Sequence, residues 1–484
     1  MGAGNAKATA TGSSTGALLD TLRGIVGAAN VLTEAADGDL SAYMHDWRRR
    51  WRGRALAVVR PGSTAEVAAL VRACAAAATA IVPQGGNTGL VGGGVPDDSG
   101  QRVLLSTKRL NRVRAVDAAN LTITAEAGCA LQTVQQAAAD AGLLFPLSLA
   151  SEGSCTLGGN LATNAGGTQV LRFGNARELC LGLEVVTAEG EVWEGLTGLR
   201  KDNTGYDLRD LFIGSEGTLG IITAATMKLS PQPAATMTAL AACESLAACV
   251  ALLNLARARL GSGLTGFEVM GRFALDLVAK HFPQLPRPLP SAPWTVLLEH
   301  CDTEGEQEAR QRFETLLGAA LEAGTASDAV VAESLAQSQA LWHLRESIPL
   351  AQAEEGLNIK HDIALPVSAI AAFCESTDRL LLERFPGARL VNFGHLGDGN
   401  LHYNLQCPEG ADGQRFVAEH EHEVNGLVFD ALVPFGGSFS AEHGIGALKR
   451  DELAARKSPV ALGLMKRLKA AFDPQGLFNP GRVV

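Results

Sequence analysis

Several function classes lack their signatures in this 484-residue sequence. No apolar run approaches the ~18 residues of a membrane-spanning helix, so no membrane span is expected. No GxGxxG follows a first strand, and no lysine is preceded by glycine, which excludes the Walker phosphate loop. The nine cysteines are scattered without a CxxC pair, which leaves out an iron–sulfur motif and fits reduced thiols in a cytosol. Positive charge is also short: the formal net charge of −10 argues against a nucleic-acid or anionic-membrane partner. The opening MGAGNAKATATGSSTGALLD has no signal-peptide apolar stretch and no arginine before Arg23, and Ala6 stands where myristoylation needs Ser or Thr. It reads as a flexible lead-in of a cytoplasmic protein.

What is present is ordinary globular material, 46% hydrophobic and 19% charged, long enough for two or three domains. RALAVVRP reads as a strand, and Ser63 with Glu66 forms a capping box that opens the helix AEVAALVRACAAA. The short strand TAIVP runs into PQGGNTGLVGGG, residues 83–94, whose backbone amides could close around an anion such as a pyrophosphate. Two further glycine clusters follow at residues 151–174 and 202–231, with a hairpin between them that turns at Glu189-Gly190. Each cluster by itself fits tight loops of a packed α+β domain. Three of them beside apolar strands suggest a backbone that approaches something large and flat. Beyond residue 235 helices such as SLAACVALLNLARARL alternate with strands such as WTVLLEH, and prolines cluster at residues 282–293.

The stretch NFGHLGDGNLHYNL, residues 392–405, places His395 and His402 seven apart. Gly397, Asp398, Gly399 and Asn400 are turn formers between strand-type flanks, which predicts a hairpin rather than a helix. With Gly397–Asn400 as the loop, Leu396 faces Leu401 and His395 faces His402, their Cβ atoms ~5 Å apart on one face. Ordinary polar or core histidines would satisfy the same pattern. Two imidazoles so placed could instead share one cation. In SAEHGIG, Glu442 precedes His443 within a glycine-flanked turn. His395, His402 and a carboxylate would give the two-nitrogen, one-oxygen set of a catalytic divalent ion.

PQGGNTG, GSCTLGGNLATNAGG and RKDNTGYDLRDLFIGSEGTLGIIT, in this order and spacing, resemble the FAD-binding domain of vanillyl-alcohol-oxidase-type (PCMH-type) flavoproteins. Within them the chain is similar to the branch of D-2-hydroxyglutarate dehydrogenase, FAD-dependent D-lactate dehydrogenase and the glycolate oxidase flavin subunit. The resemblance runs from about residue 45 to the C-terminus. It implies an α+β chain: a lead-in and first helix at 1–44, a two-subdomain FAD-binding domain at 45–234, an antiparallel-sheet cap with flanking helices at 235–430, and a segment at 431–484 that returns to the FAD domain. It implies FAD contacts at Pro83, Gln84, Gly85, Gly86, Asn87, Thr88, Gly89 and Leu90, with the pyrophosphate on Gly85–Leu90. The second cluster would run along the flavin and ribityl chain through Gly153, Ser154, Gly158, Gly159, Asn160, Asn164 and Gly166; Ile222 and Asn479 complete the set. Residues 83–94 hold neither histidine nor cysteine, which favours non-covalent FAD.

GHLGDGNLH and SAEHGIG match the family's metal-ligand positions, His395, His402 and Glu442, and His443 matches its base. Zn²⁺ suits the ligand set, and Mn²⁺, Co²⁺ or Fe²⁺ could also occupy it. Arg345, Lys360 and Asn404 match positions that hold substrate carboxylates, as does His443 for the substrate hydroxyl; most Arg and Lys residues are otherwise simply surface. The chain departs from the hydroxyglutarate enzymes at Pro349, where they have a hydroxyl residue. The expectation is a D-2-hydroxyacid dehydrogenase, D-2-hydroxyglutarate to 2-oxoglutarate first, with D-lactate or glycolate as the alternative substrate. A metallohydrolase built on the His/His/Glu site and a catalytically silent flavin-binding subunit are the rivals from other classes. The electrons would pass to an external acceptor, an electron-transfer flavoprotein or a quinone-linked partner, and a homodimer is left open.

Overall fold

The computed structural model describes residues 6–484 and divides into two compact units. The first comprises the chain up to Ala165 together with Asn175–Gln232 and Glu442–Val484; the second comprises Gly166–Gly174 and Pro233–Ala441.

The first unit holds two sheets. In one, strands Ala57–Val59 and Ile81–Gln84 both run parallel to Val103–Ser106, with Val31–Leu32 on the edge. Parallel strands are covered on both faces, which is why AVV and VLLS are fully buried apolar runs rather than alternating ones. Half of the expected capping box opens helix Thr64–Ala76: Glu66 N–H donates to Ser63 Oγ, but the Glu66 carboxylate accepts from Gly62 N–H, one residue before the cap, rather than from Ser63 N–H. The other sheet is antiparallel, in the order Val113–Asp117, Thr122–Glu126, Ile221–Lys228, Cys180–Val186, Val192–Gly195. Its last two strands form the expected hairpin, with Gly190 at φ +73° in the turn. Phe478 and Leu477 lie in the same core as Ile81, so the end of the chain is built into this unit.

Of the flexible lead-in and first helix expected at 1–44, the helix is present and begins within the stretch read as flexible. Residues 1–5 lie outside the described residues, but Ala6–Val26 is a helix, and Leu18, Leu22 and Val26 are buried in the first unit's core. An apolar residue every fourth position is enough to dock its last two turns.

The second unit is an eight-stranded antiparallel sheet, the architecture expected for this region. One face packs against helices Leu246–Leu260, Glu306–Glu322, Ile370–Arg384 and Gly413–Leu432. The other meets helices Arg272–His281, Leu335–Glu346 and Ile348–Glu355 through Leu240, Met270, Leu297 and Phe393. Pro349 occupies the first turn of the last of these helices, where a missing N–H costs nothing.

Candidate active site

The first unit carries a cleft of about 1060 Å³, open solvent at its mouth included. Pro83, Gln84, Gly85, Gly86, Asn87, Thr88, Gly89, Gly158, Gly159, Asn160 and Ile222 line it, together with His443. Its wall is mostly backbone because the glycine loops meet at backbone distance. A Cβ on Gly86 would lie 2.0 Å from the Ser154 carbonyl oxygen, and one on Gly85 2.3 Å from Thr156 Oγ1.

Leu90, Gly153, Ser154, Asn164 and Asn479 do not line the cleft, and Gly166 falls in the second unit. Several act behind the wall. Asn164 Oδ1 accepts from Arg177 N–H at 3.0 Å, and Asn479 Nδ2 donates to the carbonyls of Gly93 and Glu216. Sequence reasoning missed Asp46, Thr107, Val95 and Ser215–Gly217, and its FAD contacts stopped at Leu90 although Val91–Gly94 of the same loop also line the cleft. The signal for Ser215–Gly217 was the GSEG turn of the third glycine cluster.

Glu216 sits in that turn with a left-handed backbone, φ +53°. Burial pushes its carboxyl above the usual range, against the backbone amides of Ile445 and Gly446, which donate to it at 2.7 Å each. These bonds pin the loop that follows His443 to the cleft wall.

In the second unit the expected hairpin exists, but its register is shifted. Strands Arg389–His395 and Asn400–Gln406 pair His395 with Asn400 and Phe393 with His402, leaving Leu396–Gly399 as the loop. The expected pairing of His395 with His402 is therefore wrong by two residues. A two-residue shift preserves the face, so both imidazoles still project on the same side as diagonal neighbours. Their ring centroids are 5.5 Å apart, and a nitrogen of each lies within 4.8 Å of one on the other. A close approach from elsewhere in the chain accompanies the shift: a Cβ on Gly399 would lie 2.2 Å from the Leu365 carbonyl, so this left-handed glycine (φ +87°) carries the tight end of the loop.

Strand Leu264–Gly271 lies beside the hairpin, and the pair Val269↔Gly394 sets Glu268 opposite His395. Glu268 Oε1 accepts from His395 Nδ1 at 2.7 Å. Its Oε2 accepts from Arg345 Nε at 2.9 Å, with Nη2 also 2.9 Å away. Burial alone would push this carboxyl up; His395 and Arg345 together hold it down, at about 2. Arg345 is itself buried, with its guanidinium 4.8 Å over the Phe393 ring. Glu268 was not foreseen as a site residue. Asn404 is buried too: its Oδ1 accepts from His361 N–H and its Nδ2 donates to Gln352 Oε1. The pairs Ile359↔Leu405 and Asp362↔His402 set Lys360 opposite Asn404 on the face that carries His402.

Residues 55–195 match the family described as FAD binding domain, and residues 232–483 match the C-terminal domain of FAD-linked oxidases. The chain belongs to the FAD-linked oxidases. Among its relatives, D-2-hydroxyglutarate dehydrogenase of Xanthomonas citri pv. viticola is 41% identical over 96% of each chain. The mitochondrial D-2-hydroxyglutarate dehydrogenases of Arabidopsis thaliana and Bos taurus are 36% and 39% identical, over 95% and 91% of this chain and 80% and 78% of theirs. The solved structure of p-cresol methylhydroxylase superposes with a TM-score of 0.73 at 16% identity, covering 97% of both chains. Alkyldihydroxyacetonephosphate synthase does so at 0.72 and 17%, over 96% of this chain and 84% of that one. At such identities these two establish the fold alone.

For this FAD-linked oxidoreductase the cleft fits its cofactor. A wall of glycine backbone and small side chains, in which Cβ atoms on Gly85 and Gly86 would run into Thr156 Oγ1 and the Ser154 carbonyl, leaves room for a flat dinucleotide at backbone distance. The metallohydrolase reading finds no support, since the two family matches together assign most of the chain to the FAD-linked oxidases. The imidazole pair also fits a divalent ion. A carboxylate on His395 Nδ1 leaves Nε2 as the lone-pair donor, the arrangement usual around metal-bound histidine. Among the described residues no helix is long and apolar enough to cross a membrane.

Proposed function

We propose that the chain oxidises a D-2-hydroxy acid to its 2-oxo acid, D-2-hydroxyglutarate to 2-oxoglutarate first among them, with non-covalent FAD and a divalent metal, Zn²⁺ in the first instance. The observation that carries this reading is the 41% identity to a D-2-hydroxyglutarate dehydrogenase over 96% of both chains, in a chain whose histidine pair shares one sheet face. When bound, FAD supplies a two-electron acceptor, and the metal a positive charge that makes a substrate hydroxyl more acidic.

His395 and His402 would hold the metal through ring nitrogens, with Glu442 as the third ligand. In support, Glu442 directly follows Ala441, whose amide donates to the Asp362 carboxylate at 3.2 Å, and Asp362 is paired with His402. His443 would take the hydroxyl proton on a ring nitrogen as general base. Arg345 and Lys360 would bind substrate carboxylates, and Asn404 would support them from its place opposite Lys360.

A smaller substrate, D-lactate or glycolate, is favoured by one observation: Pro349 leaves its turn of helix without a side-chain donor. The two electrons taken from the hydroxy acid would pass on to an external acceptor such as an electron-transfer flavoprotein or a quinone-linked partner. The nine cysteines form no disulfide, which supports a cytoplasmic setting.

Anaerobic titration of the purified protein, followed in the flavin absorption band, tests the reading. D-2-hydroxyglutarate should bleach the band rapidly, its L-form should not, and chelation should abolish the bleaching. Bleaching by D-lactate or glycolate alone would replace the substrate and keep the mechanism. An absent flavin band would overturn the reading.

A further inference from the structure

Five side chains of the second unit form a closed ring of contacts. His395 and His402 stand 5.5 Å apart, His402 lies 4.8 Å from Phe393, Arg345 stacks 4.8 Å over Phe393, and Glu268 joins Arg345 back to His395. Glu268 is 1% exposed and comes from a strand more than 120 residues before the hairpin. An apolar strand interior is the least favourable place for a carboxylate unless its lone pairs are fully used. Here both oxygens are used, one by a proposed metal ligand and one by a proposed substrate cation.

We propose that Glu268 is a positioning residue that sets both halves of the site at once: it fixes His395 as the tautomer with its proton on Nδ1, and it clamps the Arg345 guanidinium at a set distance from that imidazole. The inference rests on the metal reading above. With Oε2 accepting from the Arg345 guanidinium, Oε1 faces Nδ1 as an acceptor, which places the imidazole proton on Nδ1 and leaves Nε2 to ligate. A planar guanidinium held through Nε cannot rotate freely, which fixes where its remaining N–H groups meet a carboxylate. One carboxylate thus measures the separation between the metal end and the carboxylate end of a dicarboxylic substrate.

The test uses the full-length, FAD-loaded protein stripped of metal by chelation, with Zn²⁺ alone titrated against a competing chromophoric chelator. Glu268→Gln keeps the volume but can offer an N–H where two acceptor oxygens stood. It should keep wild-type flavin content while binding Zn²⁺ about ten- to a hundred-fold more weakly. Its KM should rise more for D-2-hydroxyglutarate than for D-lactate. Zn²⁺ affinity within three-fold of wild type would overturn the proposal and leave the metal reading standing. Failure of the wild-type protein to take up Zn²⁺ would instead sink the metal reading and this inference with it. If Glu268→Gln does not fold, ¹⁵N-histidine spectra of the metal-free wild type decide the matter. His395, assigned by difference from His395→Gln, should show one Nδ1–H tautomer, and a mixed population would overturn the proposal.

Discussion

The two units build their sites from opposite materials. In the first, the cleft wall is largely backbone, and several of its glycines, such as Gly85, Gly86 and Gly158, have neighbouring atoms where a Cβ would lie. In the second, the site face is a set of large side chains, imidazole, guanidinium and carboxylate, projecting from a sheet in which the backbone only sets the spacing. The difference teaches what each can tolerate. A backbone wall fails when an atom is added; a side-chain site fails when one is removed or its charge is changed.

The largest expected effect comes from deleting a side chain of the second unit. His395→Ala should lose metal and activity together, measured by metal content and steady-state rate; full activity without metal would end the metal assignment. His443→Ala, in the backbone-walled cleft, should keep flavin and metal and lose about 10²- to 10⁴-fold in flavin reduction rate, as removal of a general base does. Adding an atom comes next. Gly86→Ala puts a Cβ 2.0 Å from the Ser154 carbonyl and should cost about 1–3 kcal/mol of stability. Flavin occupancy, read from the ratio of flavin to protein absorbance, should fall with it, and unchanged occupancy would show that the wall yields.

Pro349→Thr restores a hydroxyl at the start of helix Ile348–Glu355. A recovered hydrogen bond to a charged group, ~1.5–3 kcal/mol, should shift the kcat/KM preference toward D-2-hydroxyglutarate over D-lactate by about ten-fold or more. No change would show that the second carboxylate is read elsewhere.

The smallest effect is on stability and pH. Glu355 gains Lys280, His281 and Arg389 as partners. Burial raises its carboxyl, but these three outweigh it and hold the group at about 2. Because the folded value is depressed, its contribution is present above about pH 4.5 and lost as the pH falls toward 2. Glu355→Gln should therefore lower the melting temperature near neutrality, and the difference from wild type should shrink steadily on acidification.

Legibility in the sequence followed the same division. The glycine clusters announced the cleft because a backbone approach demands glycine at that very position, and the Ser63–Glu66 cap and the Glu189-Gly190 turn were equally local. The hairpin at residues 392–405 was legible as a hairpin, and its histidines as cofacial, because strand alternation survives a shift of two. Its register was not, since Leu365, far from the loop in sequence, closes against Gly399. The segment read as a lead-in gave no cue to its helix beyond three spaced apolar residues. Glu268 in LTGFEVMG resembled a stray charge in an apolar strand, and nothing near it pointed to His395.

By itself, then, the sequence determined the turn chemistry of the loops and the candidate histidines, because each depends on residues within a few positions of one another, and it pointed to the cofactor class through the resemblance carried by three short glycine motifs. Only the tertiary structure decided which strand lies beside the hairpin, which carboxylate meets His395 and Arg345, and which glycines face the cleft. Those choices are made when distant segments exclude water from a common core and every polar group left inside must find a partner.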